Sequence, residues 1–260
     1  MTRTEIFHAL HHRDEPLVLP NAWDFGSAAM LAAEGFPAIG TTSLGVAAAA
    51  GLADGTGVTG DETLALARRL ARLPVPVTVD IEGGFSDSPA TVAEYVGRLA
   101  EFGIAGVNLE DGRADTALTG PEHQAELISA IKARSPELFV NARVDTYWLN
   151  LEHGATLARA ERYTAAGADG IFVPGLADPD EIGRFVTAIP VPVNILFSAT
   201  GPSIATLAEL GVRRISTGSL LYRAALTAAV DVARAVRDST PVTTGVPSYR
   251  EIRAITQPDS

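Results

Sequence analysis

Short apolar runs recur along the chain, and stretches with apolar residues at helical spacing lie between them. The runs are PLVLPN (16–21), AIGTT (38–42), VPVTVD (75–80), AGVNLED (105–111), LFVNARVD (138–145), GIFVPG (170–175), VPVNILF (191–197) and RRISTG (213–218). Among the stretches between them are GDETLALARRLARL, SPATVAEYVGRLAEFG, TLARAERYTAAGAD and PSIATLAELGV. Gly35, Gly103, Gly167 and Gly211 each precede a strand, where the end of a helix favours glycine. Strand and helix alternating eight times over about 250 residues predicts a (β/α)₈ TIM-type barrel. An open doubly wound sheet is the competing arrangement, but no Gly-x-Gly-x-x-Gly follows the first strand. The chain reads as one domain, 1–260, with a less regular C-terminal extension over 240–260 in which YREIRAI forms a short helix.

A barrel of this kind carries its chemistry at the C-terminal ends of its strands. The polar residues predicted there are Thr41, Thr42, Ser43, Asp80, Glu82, Asn108, Glu110, Asp111, Asn141, Arg143, Asp145, Asn194, Ser216 and Thr217. Period two groups Asp80 with Glu82, Asn108 with Glu110, and Asn141 with Arg143 and Asp145. Converging carboxylates repel and take up protons unless a cation sits among them. Oxygen donors without histidine or cysteine suit Mg²⁺, with Mn²⁺ as the alternative, held by Asp80 and Glu82 with help from Glu110. The competing reading is a structural polar cluster in which arginines pair with these acids. Arg143 is the counter-ion in both: it clamps a substrate carboxylate or oxo group, or it bridges to Glu110 or Asp145. TTSLG (41–45) is an anion nest or an ordinary polar turn. FSATGPS (197–203) and STGS (216–219) are phosphate grips or plain loops, and Trp23 and Trp148 wall a pocket or simply pack.

Composition removes other chemistries. The net charge of −11 speaks against a nucleic-acid partner. There is no cysteine, hence no thiolate nucleophile, disulfide or cysteine metal site. Lys132 is the only lysine and falls in a helical pattern, which disfavours Schiff-base chemistry. His8, His11, His12, His123 and His153 end no strand, although His123 has a route to the barrel mouth. No apolar run reaches membrane-spanning length and the N-terminus lacks a signal core, so no membrane association and a cytoplasmic location are expected.

PNAWD, GTTSLGVAAAAGLADG, VTVDIEGGF, GVNLED, FVNARVD and AGADGIFVPG, in that order, resemble the isocitrate lyase and phosphoenolpyruvate mutase superfamily. The resemblance spans roughly residues 16 to 225. It implies a (β/α)₈ barrel, a homotetramer with its last helices exchanged between partners, and Mg²⁺-dependent cleavage or formation of C–C or C–P bonds through enolate-like intermediates. It places Thr42, Ser43 and Leu44 in the carboxylate-binding loop and Asp54 beside the metal site. Asp80 and Glu82 match the metal-binding pair, with Glu replacing the commoner second Asp. Glu110 matches the acid of the fourth strand, Arg143 the substrate-contacting arginine and Asn194 a substrate-binding asparagine.

Two departures bear on the reaction. The Lys-Cys-Gly lid of the lyases is replaced by EDGRADTALTGPEHQ, and Pro174 stands where mutases have histidine and the lyases glutamate. The expected activity is a Mg²⁺-dependent lyase cleaving a C–C bond of a small 2-oxo or 2-hydroxy (di)carboxylate. Arg143, Asp54 and Glu110 are its catalytic residues; Asp54 or a metal-bound hydroxide is the expected base where the substrate is an alcohol, and water or Tyr147 the proton source. The alternatives are a C–P enzyme, which needs a basic lid although Arg113 is the only basic residue there, and an oxo-acid-binding protein without turnover.

Overall fold

The computed structural model describes residues 1–114, 116–243 and 245–256. Its first strand, β1, runs from Leu17–Leu19 into Asn21–Ala22, interrupted at Pro20, which has no N–H to give to a ladder. Then follow Ile39–Thr41 (β2), Val77–Asp80 (β3), Gly106–Glu110 (β4), Phe139–Arg143 (β5), Gly170–Phe172 (β6), Val193–Leu196 (β7) and Arg214–Ser216 (β8). Each pairs in parallel with the next. The first half of β1 pairs with β8 and the second half with β2, so the sheet closes on itself. This is the (β/α)₈ barrel expected from the sequence. Buried on both faces, parallel strands read as continuous apolar runs.

The barrel helices are Phe25–Ala33 (α2), Ser43–Ala50 (α3), Gly60–Leu70 (α4), Pro89–Glu101 (α5), Pro121–Arg134 (α6), Thr156–Ala165 (α7), Pro179–Ala188 (α8), Ile204–Glu209 (α9) and Leu220–Arg237 (α10). Arg3–Leu10 (α1) precedes the barrel and Tyr249–Thr256 (α11) follows it. Ser88, Asp178 and Ser203 cap α5, α8 and α9 with side-chain oxygens. Pro89, Pro121 and Pro179 take first helical positions, where a missing N–H costs nothing. In α5, Val92, Val96 and Leu99 recur every three to four residues, and all are buried against the sheet. Among the described residues no helix is long and apolar enough to cross a membrane.

A second, smaller core lies at the barrel's N-terminal end, where α1 acts as a plug. Phe7 and Leu10 pack there with Leu17, Leu19, Ala38, Ala105 and Phe139. Gly106 makes room for this plug, since a Cβ there would stand 3.0 Å from the Phe7 ring. His11 stacks on Phe139 at 4.2 Å, and its Nδ1–H donates to the Phe7 carbonyl at 2.8 Å. That leaves the imidazole neutral, with Nε2 buried and unpaired among the described residues. Burial, with the Arg214 charge adding to it, pushes the His11 pKa down to about 3.

His11 therefore makes the fold acid-sensitive. Below the ordinary value near 6.5 the unfolded chain binds a proton that the folded chain refuses. Stability from this group is complete above that value and falls as the pH drops toward 3, by up to about 1.4 kcal/mol per pH unit. Urea unfolding at pH 7 and pH 5 should show the wild type losing about 2 kcal/mol more than His11→Leu. An equal loss in both proteins would mean that His11 carries a proton inside the fold.

Candidate active site

The strand C-termini open into a cavity of about 570 Å³. Thr41, Thr42, Ser43 and Leu44 line one side, with Asp54 and Gly55 from the loop after α3, Asp80, Asn108, Glu110 and Arg143. Trp148, Phe172, Pro174, Ser198, Ser219 and Arg223 are on the remaining wall. The carboxylate loop owes its shape to α3, which begins directly after β2. Thr42 caps α3 without a side-chain hydrogen bond, which leaves the first-turn N–H groups to other acceptors at the mouth; that of Ser43 reaches Asp80 Oδ2 at 3.4 Å. Gly45 lets α3 approach Trp23, whose Cβ would lie 2.7 Å from a Cβ at that position. Trp23 packs edge-on against Tyr222 at 5.2 Å and does not line the cavity.

Arg143 is the electrostatic centre. Its Nη1 lies 2.8 Å from Glu110 Oε2 and its Nε 2.6 Å from Asp145 Oδ1. The Trp148 and Phe172 ring centroids lie 5.7 and 5.9 Å from its guanidinium carbon, a cation–π arrangement. Burial works against its charge, and Glu110, Asp145 and Asp80 more than reverse that effect, so its pKa is raised. One guanidinium does not balance the acids. Burial outweighs Arg143 at both sites, pushing the Asp80 carboxyl up to about 6 and the Glu110 carboxyl up to about 8. Asp80 accepts from the Ser43 N–H at 3.4 Å and the Glu82 N–H at 3.3 Å, and Thr41 Oγ1 accepts from the Asp80 N–H at 2.8 Å.

This donor set fits a hard divalent cation. The acids beside the cavity offer oxygen only, and their raised pKa values mark a site short of positive charge. Among the described residues no three acidic or imidazole groups form a closed metal cage. Mg²⁺ does not require one, because it keeps several waters and takes one or two carboxylates. Asp80 and Glu110 are the groups that would hold it.

Two expected site residues lie elsewhere. β3 ends at Asp80, and Glu82 sits in the following turn at φ 48° instead of sharing the face of Asp80. Its carboxylate is turned to Gly57 and Thr59, away from the cavity. Asn194 is 1% exposed, donates to Ser216 Oγ at 3.0 Å and does not line the cavity. The same network holds Asn141, which donates to Asn108 at 2.9 Å, and the wholly buried Arg214, which donates to Asn108 at 3.1 Å and Ser216 at 3.2 Å. Burial lowers the Arg214 pKa to about 9. The alternation of Arg214 with Ser216 along β8 was the signal for this inward arginine.

Other candidates have structural partners. Tyr147 donates to Glu181 at 3.1 Å and stacks on His153 at 4.4 Å, outside the cavity. His123 pairs with Glu126 at 3.6 Å on α6. Asp111 accepts from Tyr163 Oη at 2.7 Å, from Arg159 at 3.2 Å and from the Asp145 N–H at 2.8 Å, forming a buried brace behind the site. After β4, Gly112–Arg113 and Ala117–Leu118 form a two-stranded antiparallel hairpin in place of a long lid. The Arg113 guanidinium donates to the Glu110 and Gly112 carbonyls at 2.9 and 2.7 Å, so it is folded back onto backbone.

Barrel and site together define the class: a (β/α)₈ protein of the isocitrate lyase and phosphoenolpyruvate mutase superfamily, whose members are lyases and mutases. The chain belongs to the phosphoenolpyruvate phosphomutase family, which matches residues 7–237. It is 51% identical over 250 residues to an uncharacterized protein of Mycobacterium tuberculosis, covering 95% of both chains. It is 34% identical over 199 residues to a Bacillus subtilis 2-methylisocitrate lyase, covering 72% of this chain and 64% of that one. An oxaloacetate decarboxylase of Pseudomonas savastanoi pv. phaseolicola is 29% identical over 215 residues, 78% of this chain and 73% of that one. Among solved structures, a phosphonopyruvate hydrolase in complex with oxalate and Mg²⁺ superposes with a TM-score of 0.86 at 26% identity, covering 98% of this chain and 95% of that one.

Arg143→Ala would leave Glu110 and Asp145 without their partner, and urea unfolding should show a loss of about 3–5 kcal/mol. Unchanged stability would mean that the guanidinium does not anchor these acids.

Proposed function

We propose that the protein is a Mg²⁺-dependent lyase that cleaves a C–C bond of a small 2-oxo or 2-hydroxy dicarboxylate. The observation carrying this reading is a cavity wall in which two under-compensated carboxylates, Asp80 and Glu110, flank a buried arginine. Asp80 and Glu110 would hold a divalent cation there, and it would supply Lewis-acid stabilisation of the negative charge that cleavage develops.

The chain's own groups do the rest. N–H groups at Ser43 and Leu44 hold the carboxylate next to the reacting carbon. Arg143 faces the oxo group and stabilises negative charge as it develops on that oxygen. Arg223, beyond β8, lines the wall across the barrel from β4 and fits the distal carboxylate. Asp54 takes the hydroxyl proton when the substrate is a 2-hydroxy acid. For oxaloacetate, the bond between C3 and the C4 carboxylate breaks, CO₂ leaves, and water protonates C3 to give pyruvate. This route needs no lid cysteine, consistent with its absence here, and the likeness to oxaloacetate decarboxylases supports it.

The phosphonopyruvate hydrolase likeness favours a second reading, C–P cleavage. The inward fold of Arg113 and the proline at 174 count against it, because both remove phosphoryl contacts from the cavity. A homotetramer is part of the proposal: α10 buries Tyr222 but leaves Leu226, Val230 and Val236 exposed, an apolar face suited to a second copy of the chain.

The test is a turnover screen with oxaloacetate, isocitrate, 2-methylisocitrate, phosphonopyruvate and phosphoenolpyruvate, with and without Mg²⁺, products read by NMR against metal-only controls. Oxaloacetate should give pyruvate above the metal-only rate, and Asp80→Ala should lose at least about 10³-fold of that rate while remaining folded. Phosphorus-containing products would move the protein to C–P chemistry. Saturable oxalate binding without turnover of any compound would make it a binding protein.

A further inference from the structure

Glu82 has a different task from the one its position in the sequence suggests. Its carboxylate is buried, and both oxygens are taken: Oε2 accepts from the Gly57 N–H at 2.9 Å and Oε1 from Thr59 Oγ1 at 2.5 Å. Both partners belong to the segment between α3 and α4, the one that brings Asp54 and Gly55 to the cavity wall. Thr59 is wholly buried at the N-cap of α4, yet its hydroxyl makes no cap for its own helix and is given to Glu82 instead. The segment has little rigidity of its own, since Gly51, Gly55 and Gly57 all adopt left-handed φ of 71°, 69° and 75°.

The other end of this tie is built into an unusual turn. Glu82 and Phe85, neither a glycine, have φ of 48° and 60°. Such conformations persist where surrounding contacts over-determine them. Here the Gly84 N–H donates to the Ile81 carbonyl at 2.8 Å, and the Glu110 N–H to the Glu82 carbonyl at 3.0 Å. A Cβ at Gly83 would fall 2.5 Å from the Arg113 guanidinium, and one at Gly84 would fall 2.9 Å from Val92. Phe85 packs on Gly60 and edge-on to Tyr95 at 5.0 Å, while Tyr95 Oη donates to the Gly60 carbonyl at 2.8 Å. The turn thus grips the start of α4 at the same place where Glu82 grips the segment before it.

We propose that Glu82 is a positioning residue, not a metal ligand: its carboxylate latches Gly57 and Thr59 to the turn after β3 and so holds the Asp54 segment at the cavity wall. A shorter aspartate at this position would lose a methylene of reach toward Thr59. Arg113, folded onto the same turn, braces the latch from the opposite side. Only the part of the proposal that concerns turnover rests on the lyase reading.

The test compares Thr59→Val, Thr59→Ser and Glu82→Gln by hydrogen exchange over residues 52–59 and by Mg²⁺ calorimetry. Thr59→Val removes the hydroxyl and keeps the shape; it should raise exchange at Gly57 at least tenfold and leave Mg²⁺ affinity within twofold. Thr59→Ser should restore protection. Glu82→Gln should loosen the segment as Thr59→Val does, with Mg²⁺ affinity again within twofold. On whichever substrate turns over, Thr59→Val should lower kcat/KM about tenfold at a temperature where it is fully folded, and Thr59→Ser should recover it. A Glu82→Gln protein with intact protection and Mg²⁺ affinity reduced tenfold or more would make Glu82 a ligand and overturn the proposal. Unchanged exchange in Thr59→Val would overturn it as well. If no compound turns over, the exchange and calorimetry still decide the latch.

Discussion

A single guanidinium among too many carboxylates organises the working end of this barrel. Arg143 sits between Glu110 and Asp145, with Asp80 close enough to feel its charge. Removing one partner of a buried pair of this kind costs about 3–5 kcal/mol, because the other charge is left stranded. The rings of Trp148 and Phe172 flank the guanidinium where it meets the cavity. Even so, Asp80 and Glu110 are driven toward their protonated forms. Added positive charge would relieve both shifts.

The rest of the fold serves to keep these groups in place. Barrel closure through the two halves of β1 sets the angular order of the strand ends. The α1 plug fills one end of the barrel, and the layer of Asn108, Asn141, Asn194, Ser216 and Arg214 forms a hydrogen-bonded floor under the other. Such a floor is rigid only when its members satisfy one another, which these largely do. The Asp111–Tyr163–Arg159 brace stands behind Arg143 by way of Asp145. Arg113 and Glu82 then direct their hydrogen bonds to backbone and loop, and neither lines the cavity.

Much of this was legible in the residues. Strands buried on both faces advertise themselves, so AGVNLED and LFVNARVD map directly onto Gly106–Glu110 and Phe139–Arg143. Asp80, Glu110, Arg143, Thr42, Ser43, Leu44 and Asp54 all reach the cavity, because strand ends and the loops after them form the mouth of any such barrel. Glu82 was misplaced because period two was carried one step past the end of β3; the Gly83–Gly84 pair announced a turn, but the turn begins at Glu82 itself. Asn194 lies behind Ser216 instead of lining the cavity, since a short strand does not declare how far its inward residues stand from the mouth. Arg223 and Phe172 carry no local signal: one is an arginine on a helix, the other an apolar residue in an apolar run. His11 lay in a polar N-terminal segment, and its burial rests on contacts the segment does not declare, with the Phe139 and Phe7 rings and the Phe7 carbonyl.

The central claim is that Asp80 and Glu110 await a cation, and calorimetric titration with Mg²⁺ in buffers of different ionisation enthalpy tests it most directly. Bound carboxylates must be ionised, so metal uptake has to expel the protons that burial retains. With the Glu110 carboxyl pushed up to about 8, the account predicts net proton release on Mg²⁺ binding at pH 7, with the affinity rising as the pH increases from 6 to 8. Mg²⁺ binding that releases no proton and ignores pH, or no Mg²⁺ binding at all, would contradict it.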